Sequence, residues 1–247
     1  MVTSTNTTRW LFVGDSITAL TTGTSGNWPG RPNSFIDQAQ TKSISFTPAP
    51  AQTVVPSRLG QTAPASYSPL TQRGRIQLFS VYGVGGRTVS GLAADLQASI
   101  YIFKPDIIGL MIGTNDFPAT DVTQGGAFQT SYFQIIDGVI ANVPNCQKIF
   151  CMTPSIRSEA WTAAGPHLAD GFDSWLGHAR IQECALARPS VCEFVDVLTP
   201  MFALTRIMQP VAGTSQAQYI QTKDSLHPTP LGCQVISATL MNRVIWS

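Results

Sequence analysis

Two nearly continuous apolar runs constrain the fold of this sequence more than any other feature. They are "IQLFSV", residues 76–81, and "IIGLMI", residues 107–112. Runs of this kind are typical of strands that are covered on both faces. Three further apolar runs have strand length, and amphipathic helical patterns fill the intervals between the five runs. The sequence therefore predicts an α/β fold with an open, five-stranded parallel sheet. The three further strands are predicted at residues 10–13, 148–152 and 194–197, and the helices at 90–103, 127–143, 173–187 and from 230 onwards.

The charge of the chain is low and almost balanced. Of its 247 residues, 43% are apolar and 12% are charged, and the formal net charge is +1. A chain of this length can bury the core of one sizeable domain. Because no basic field is present to attract a phosphate backbone, we predict no nucleic-acid partner.

Membrane and targeting signals are missing from the sequence. No apolar run reaches the ~18 residues that span a bilayer, and the N-terminus has neither a basic start nor an apolar signal core. We therefore expect no integral membrane segment. The expected location is the cytoplasm, or the cell exterior if the chain is the mature form of a secreted protein.

Five cysteines are present without a CxxC pair or a zinc-type spacing. We expect buried structural thiols, with Cys184–Cys192 or Cys146–Cys151 as alternative disulfides in an exported chain. Cys151, at the end of a predicted strand, is the alternative nucleophile. The three histidines are scattered without a carboxylate cluster, so neither a metal site nor a cofactor is predicted. His178, within a helical pattern, is expected to be structural.

One segment interrupts the alternation of strands and helices. Residues 43–75 are rich in Pro, Ser, Thr, Ala and Gln and precede the second predicted strand. Connections at such a place usually need only ~2–6 residues. We expect an irregular insertion here that shapes a substrate cleft or forms a contact between copies in a homo-oligomer.

Polar and glycine residues follow the first three predicted strands. The first strand ends in Gly14-Asp15-Ser16, the second in "YGVGGRT" and the third in "GTND". In a doubly wound parallel sheet the carboxyl ends of the strands share one edge, where ligands bind. We therefore expect the hydroxyl of Ser16, the backbone amide of Gly86 and the side-chain amide of Asn115 to lie close together.

A fourth segment, "DSLHPTP", adds an acid and a base just before the last predicted helix. Asp224 and His227 are three residues apart, so the carboxylate can accept the Nδ1 proton and leave Nε2 free to take a proton from a serine hydroxyl. Together with Ser16 and the Gly86 and Asn115 amides, this pair completes the groups that acyl transfer requires.

In order and placement, "GDSIT", "GVGGRT", "GTND" and "DSLH" resemble the four motif blocks of the SGNH hydrolases, also called GDSL-type esterases and lipases. The blocks extend over residues 14–227. The resemblance implies a flavodoxin-like three-layer α/β/α sandwich, formed by residues 1–247 as a single domain. It also implies Ser16, Asp224 and His227 as catalytic triad, and Ser16, Gly86 and Asn115 as oxyanion donors. Two departures are Tyr82-Gly83, where an Asn is common, and the long interval between the first two blocks.

The expected activity is that of a serine esterase on short, acetyl-like acyl esters, including esters of saccharides. The alternatives are a lipase, thioesterase or acyltransferase for longer acyl chains, and a non-catalytic glycan-binding module on the same scaffold. Asp15 is expected to cap backbone amides at its turn. Five residues are predicted to line the substrate pocket, namely Asp15, Trp28, Arg87, Phe117 and Pro228.

The segment around the second strand also imitates a dinucleotide-binding turn. Gly83 and Gly85 fit the first two glycines of that motif, but Thr88 occupies the third position and Asp95 comes too early for the ribose acid. This alternative would leave Ser16 and His227 without a shared role.

Overall fold

The computed structural model describes residues 7–19, 65–66, 70–72, 75–116, 121–154, 161–162, 165–166, 168–207, 228 and 230–246. The strands in this part of the chain fall into one large mixed sheet and one small hairpin. In chain order they are β1 (Thr7–Gly14), β2 (Ala65–Ser66), β3 (Leu70–Gln72), β4 (Arg75–Gly83), β5 (Ile107–Met111), β6 (Lys148–Met152), β7 (Trp161–Thr162), β8 (Gly165–Pro166) and β9 (Cys192–Val195).

Five of these strands form the parallel centre of the large sheet, in the order β4-β1-β5-β6-β9. The predicted five-stranded parallel sheet is thereby confirmed. Because β4 lies on one side of β1 and β5 on the other, the strand order reverses at β1. In open α/β sheets such a reversal opens a crevice at the carboxyl ends of the strands. The exit of β1, which carries Ser16, lies at this point.

The insertion at residues 43–75 is only partly irregular. Near its end, β2 and β3 both pair antiparallel with β4 and extend the edge of the sheet. Such short strands could not be predicted, because their pairing depends on the neighbouring long strand rather than on their own apolar pattern. The part of the insertion before residue 65 lies outside the described residues.

Helices follow the strands as expected, with two differences. They are α1 (Val89–Ala93), α2 (Leu96–Ser99), α3 (Ala127–Asn142), α4 (Leu168–Leu186), α5 (Leu198–Ile207) and α6 (Pro230–Trp246), with a 3₁₀ turn at Tyr101–Phe103. The single helix predicted at 90–103 is broken at Asp95, whose φ of −124° and ψ of 30° are not helical. Helix α5 was not predicted. Among the described helices, none combines the length and the apolarity that a bilayer crossing demands.

The sheet is covered on both faces, and alternate residues of each strand enter different cores. Trp10 and Phe12 of β1 pack in one core with residues of α5 and α6. Leu11 and Val13 pack in the other core with residues of α1 to α4. Since side chains along a strand alternate between its faces, this division is what a three-layer α/β/α sandwich requires. The predicted layer architecture is confirmed.

The start of α5 depends on a buried threonine at the end of β6. The Thr153 hydroxyl oxygen accepts hydrogen bonds from the backbone amides of Val197 (2.8 Å) and Leu198 (3.0 Å), and Thr153 is fully buried. These amides belong to the turn that leads from β9 into the helix. Because the first amides of a helix have no partner within it, a side-chain acceptor stabilises its beginning.

Replacing this hydroxyl is expected to weaken the fold. In Thr153→Val the shape is preserved but both buried amides lose their acceptor, so the free energy of unfolding should fall by about 1–3 kcal/mol. Urea unfolding measures this loss. Thr239→Val is the matched control, because the hydroxyl of Thr239 only donates to Val235 O within its own helix (2.8 Å). Equal small losses in the two variants would contradict the assigned role of Thr153.

Candidate active site

The turn after β1 presents Ser16 at the sheet edge. The backbone amides of Thr18 (3.2 Å) and Ala19 (3.0 Å) donate to Asp15 O, which closes the turn around Ser16. The side chain of Asp15 is turned inward: the residue is 1% exposed, and its Oδ1 accepts from the Ile17 amide at 2.9 Å. Asp15 thus makes the expected capping contact, and Ser16 beside it is half-buried.

A tight turn follows β4, and Gly86 is its third residue. The Arg87 amide donates to Val84 O at 3.2 Å, and Gly86 has a φ of +72°. Only glycine adopts this left-handed conformation without strain, and a glycine at this place is typical of a type II turn. Gly86 is exposed, and its amide makes no hydrogen bond within the described part of the chain. The backbone N–H of Gly86 is therefore a donor that the hydrogen bonds of the sheet do not use.

The turn after β5 is joined to the turn after β4 by two side chains. Asn115 Nδ2 donates to Arg87 O at 3.0 Å. The Asp116 carboxylate accepts from the Val89 amide at 3.0 and 3.2 Å, which also caps the start of α1. Since a side-chain amide has two N–H groups, Asn115 keeps a second donor after bonding Arg87 O. Because the Arg87 carbonyl oxygen can only accept, the nitrogen of the Asn115 side-chain amide, and not its oxygen, must face Arg87.

Close backbone packing brings the exit of β1 against the same two turns. The Val84 amide donates to Gly14 O at 3.2 Å. A Cβ on Gly14 would overlap Met111 O, and a Cβ on Gly83 would overlap the backbone of Ala19. These two glycines allow the three strand exits to approach within van der Waals contact. The structure thus joins the turns that carry Ser16, Gly86 and Asn115 into one contiguous edge.

The structure describes only some of the remaining predicted site residues. Asp224, His227, Trp28 and Phe117 lie outside the described residues, so their roles stay predictions. Pro228 is buried, and the side chain of Arg87 is 13% exposed. Whether Asp15, Arg87 and Pro228 line a pocket also stays a prediction.

An acid–histidine pair formed by His178 of α4 and Asp196, just after β9, lies away from the Ser16 turn. His178 Nε2 is 3.4 Å from Asp196 Oδ1, and the imidazole packs edge-on against Phe194. Burial raises the pKa of Asp196, but hydrogen bonds from His178 and Thr199 outweigh burial and lower it to about 2. Because β9 is three strands from β1, this pair is about 14 Å from the Ser16 turn at the usual strand spacing. Asp196 accepts from the Thr199 amide at 2.9 Å and so stabilises the start of α5.

Three of the thiols, those of Cys146, Cys151 and Cys184, are unsuited to nucleophilic chemistry. All five cysteines are free, so neither alternative disulfide is formed, and all but Cys146 are buried. Burial raises the pKa of Cys146 and of Cys184 to about 12. A hydrogen bond with Cys192 and burial both raise the pKa of Cys151 well above its ordinary value. Because the thiolate is the reactive form, Cys151 is not a competent nucleophile at neutral pH. Among the described residues no cluster of His, Cys, Asp or Glu could hold a metal ion.

Sequence reasoning missed the groups that support these turns. The carbonyl of Arg87 and the amide of Val89 are backbone groups, which no residue pattern distinguishes. The sequence pattern places Asp95 too early for a ribose-binding acid and indicates no other role for it, yet its Oδ2 lies 2.8 Å from Arg87 Nη2. The eight-residue spacing between Arg87 and Asp95 is not a helical one, so no local signal indicated their pairing.

Comparison with known proteins agrees with the fold described above. The model of the GDSL-like lipase/acylhydrolase family matches residues 12–235. A search of curated protein sequences finds no match. Among solved structures, the acetylxylan esterase Axe2 from Geobacillus stearothermophilus is similar with a TM-score of 0.60 and 17% identity, covering 96% of this chain and 94% of that chain. A catalytic mutant of Axe2 gives a TM-score of 0.63 at the same identity and coverage.

A lipase/acylhydrolase from Enterococcus faecalis is similar with a TM-score of 0.57 and 15% identity, covering 96% of this chain and 95% of that chain. At such identities the solved structures establish the fold, and the family match extends over most of the chain. The turns described above lie within the matched residues. The chain is a carboxylic ester hydrolase and belongs to the GDSL-like lipase/acylhydrolase family.

Proposed function

We propose that the protein is a serine esterase that forms an acyl-enzyme on Ser16 and hydrolyses short, acetyl-like esters carried by saccharides. The nucleophile is the Ser16 hydroxyl, and the oxyanion donors are the backbone amides of Ser16 and Gly86 and the side chain of Asn115. Asp224 and His227 are the acid and the base.

The bond from Asn115 Nδ2 to Arg87 O carries this proposal. It joins the side chain that would stabilise an oxyanion to the residue that follows Gly86, the second donor. Within the described part of the chain, one N–H of Asn115 and the amide of Gly86 remain available on adjoining turns. Donors fixed before the reaction stabilise a developing negative charge without reorganisation, which is the main requirement of an oxyanion hole.

In the proposed reaction His227 twice takes up a proton and gives it away again. Nε2 takes the proton of the Ser16 hydroxyl while Oγ attacks the ester carbonyl, and the carbonyl oxygen becomes the oxyanion. On collapse of this intermediate, His227 gives the proton to the leaving alcohol and the acyl group stays on Ser16. His227 then takes a proton from water, whose oxygen attacks the acyl-enzyme, and returns the proton to Ser16 as the acid is released. Asp224 orients the imidazole and stabilises its charged form.

The chemistry of the described turns favours a small polar substrate. At the first three strand exits the described residues that are not buried are small or polar, apart from Val84: Ser16, Gly83, Gly85, Gly86, Arg87, Thr88 and Asn115. Hydroxyl-rich substrates are held by such groups, whereas long acyl chains need an extended apolar surface. The similarity to an acetylxylan esterase supports an acetylated saccharide as the substrate.

A series of acyl donors tests the substrate class. We expect kcat/KM for p-nitrophenyl acetate to exceed that for the C8 and C12 esters by at least about tenfold, because a short acyl pocket excludes added methylenes. Acetate release from acetylated xylo-oligosaccharides should be measurable in the same preparation. Faster turnover of the C8 or C12 ester would contradict the short-acyl assignment. Absence of turnover, together with no fluorophosphonate adduct on Ser16, would instead indicate a binding module.

A further inference from the structure

Arg87 has an unusual position for a charged residue beside two exposed glycines. Its side chain is only 13% exposed, although Gly85 and Gly86 before it are open to solvent. Arginine side chains are mostly exposed, and one that is largely buried usually has a partner. The contacts of its guanidinium group therefore indicate what the residue does.

Two groups hold the guanidinium of Arg87 from different directions. Asp95 Oδ2 accepts from Nη2 at 2.8 Å, and the guanidinium carbon lies 5.4 Å from the centroid of the Tyr82 ring. Tyr82 is itself buried at the end of β4 and packs against Phe103. Asp95 lies between α1 and α2. The side chain of Arg87 thus bridges the last residues of a central strand and the first helical segment after it.

The backbone of the same residue closes the turn of residues 84–87, called the oxyanion turn here because it carries the proposed donor Gly86. Its amide closes the turn on Val84 O, and its carbonyl accepts from Asn115 Nδ2. Two consecutive glycines precede it, and glycine has more backbone freedom in solution than any other residue. Fixing the next residue, Arg87, is the simplest way to hold such a turn in one conformation.

From these contacts we infer that Arg87, fixed by Asp95 and Tyr82, is a positioning residue that directs the Gly86 amide and the Asn115 side chain toward one point. This inference rests on the proposed function, because it requires both donors to serve the oxyanion. Arg87 acts through Asn115 and Gly86 and needs no contact with the substrate. Lysine could not replace it, since an ammonium group lacks the planar face that stacks on Tyr82 and the fork that reaches Asp95.

The chain offers a matched control for this arrangement. Arg188 also pairs with an aspartate, Asp137, at 2.8 Å, and also lies over an aromatic ring, that of Phe133, at 5.3 Å. That cluster joins α3 to the segment after α4 and lies outside the strand exits. Arg188→Lys therefore makes the same chemical change at a more exposed ion pair without touching the oxyanion turn.

The test measures kcat and KM of both lysine variants with p-nitrophenyl acetate. We expect Arg87→Lys to lower kcat by about 10- to 100-fold with KM nearly unchanged, because misplaced donors affect the transition state more than substrate binding. Arg188→Lys should leave both constants unchanged. Equal kinetic constants for Arg87→Lys and the wild type would overturn the inference, as would a loss that appears only in KM.

A double-mutant cycle with Asn115→Ala separates positioning from a general loss of stability. If Arg87 acts through Asn115, Arg87→Lys should lower kcat much less in the Asn115→Ala background than in the wild type. Fully multiplicative effects of the two substitutions would overturn the inference. The proposed function is judged separately by Ser16→Ala. An inactive Ser16→Ala with a fully active Arg87→Lys would remove the positioning role alone, whereas an active Ser16→Ala would remove both.

Discussion

Ser16→Ala should lower kcat/KM for p-nitrophenyl acetate by about 10⁴-fold or more, because the proposed acyl-enzyme forms on the hydroxyl of this residue. The substitution removes one oxygen atom from a half-buried side chain. The turn around it is held by backbone bonds to Asp15 O, which the variant retains. We therefore expect its unfolding temperature to stay close to that of the wild type.

The control for this prediction is Ser90→Ala. Ser90 is an exposed serine in α1, whose hydroxyl lies 3.2 Å from that of Thr88, and the substitution makes the same chemical change close to the oxyanion turn. Its kinetic constants should match those of the wild type. More than about 1% residual activity in Ser16→Ala, with a normal Ser90→Ala, would contradict the assignment of the nucleophile.

His227→Ala provides an independent check of the same assignment. The hydroxyl and the imidazole act as one unit, so the loss should be of similar size, and the double variant should lose little more than either single variant. Independent, multiplicative losses would mean that His227 does not activate Ser16. The fluorophosphonate adduct on Ser16 should also be lost in His227→Ala, because the hydroxyl is then no longer deprotonated.

The part of the fold that the sequence predicts well is the part set by local periodicity. Trp10 and Leu11 alternate between the two cores, as the apolar run of β1 indicates. Long apolar strands separated by helices leave few topologies, so the meeting of the first three strand exits followed from connectivity. For that reason the neighbourhood of Ser16, Gly86 and Asn115 could be predicted without coordinates.

Features that depend on distant partners could not be predicted in this way. The start of α5 depends on Thr153, more than 40 residues earlier in the chain. The helix break at Asp95 coincides with its pairing to Arg87, and that pairing has no helical spacing. In each case a contact between residues distant in the sequence outweighs the local helix propensity. That propensity differs by only a few tenths of a kcal/mol between most residues.

Asn115→Ala should lower kcat by about 10²–10³-fold with little change in KM, because it removes one of the proposed donors to the oxyanion. The carbonyl of a bound ester is only weakly charged, so the donor matters mainly when the negative charge develops. Loss of the bond to Arg87 O should also lower the free energy of unfolding by roughly 1 kcal/mol. Kinetic constants and urea unfolding together separate these two effects.

Asn142→Ala is the matched control for Asn115→Ala. The Nδ2 of Asn142 also donates to a backbone carbonyl, that of Gly138, at 2.9 Å, but it does so at the exposed end of α3. A small loss of stability with unchanged kcat is expected. If both alanine variants lowered kcat in proportion to their loss of folded protein, Asn115 would have a structural role only.

Asn115→Asp distinguishes a hydrogen-bond donor from a mere spacer. The aspartate has the same shape, but its carboxylate oxygens cannot donate and would face both Arg87 O and the developing oxyanion. At neutral pH the variant should therefore have a lower kcat than Asn115→Ala, since repulsion adds to the missing donor. Lowering the pH protonates the carboxyl and restores a donor, so the gap between the two variants should narrow in acid. An aspartate variant more active than the alanine variant at neutral pH would show that Asn115 fills space rather than stabilising charge.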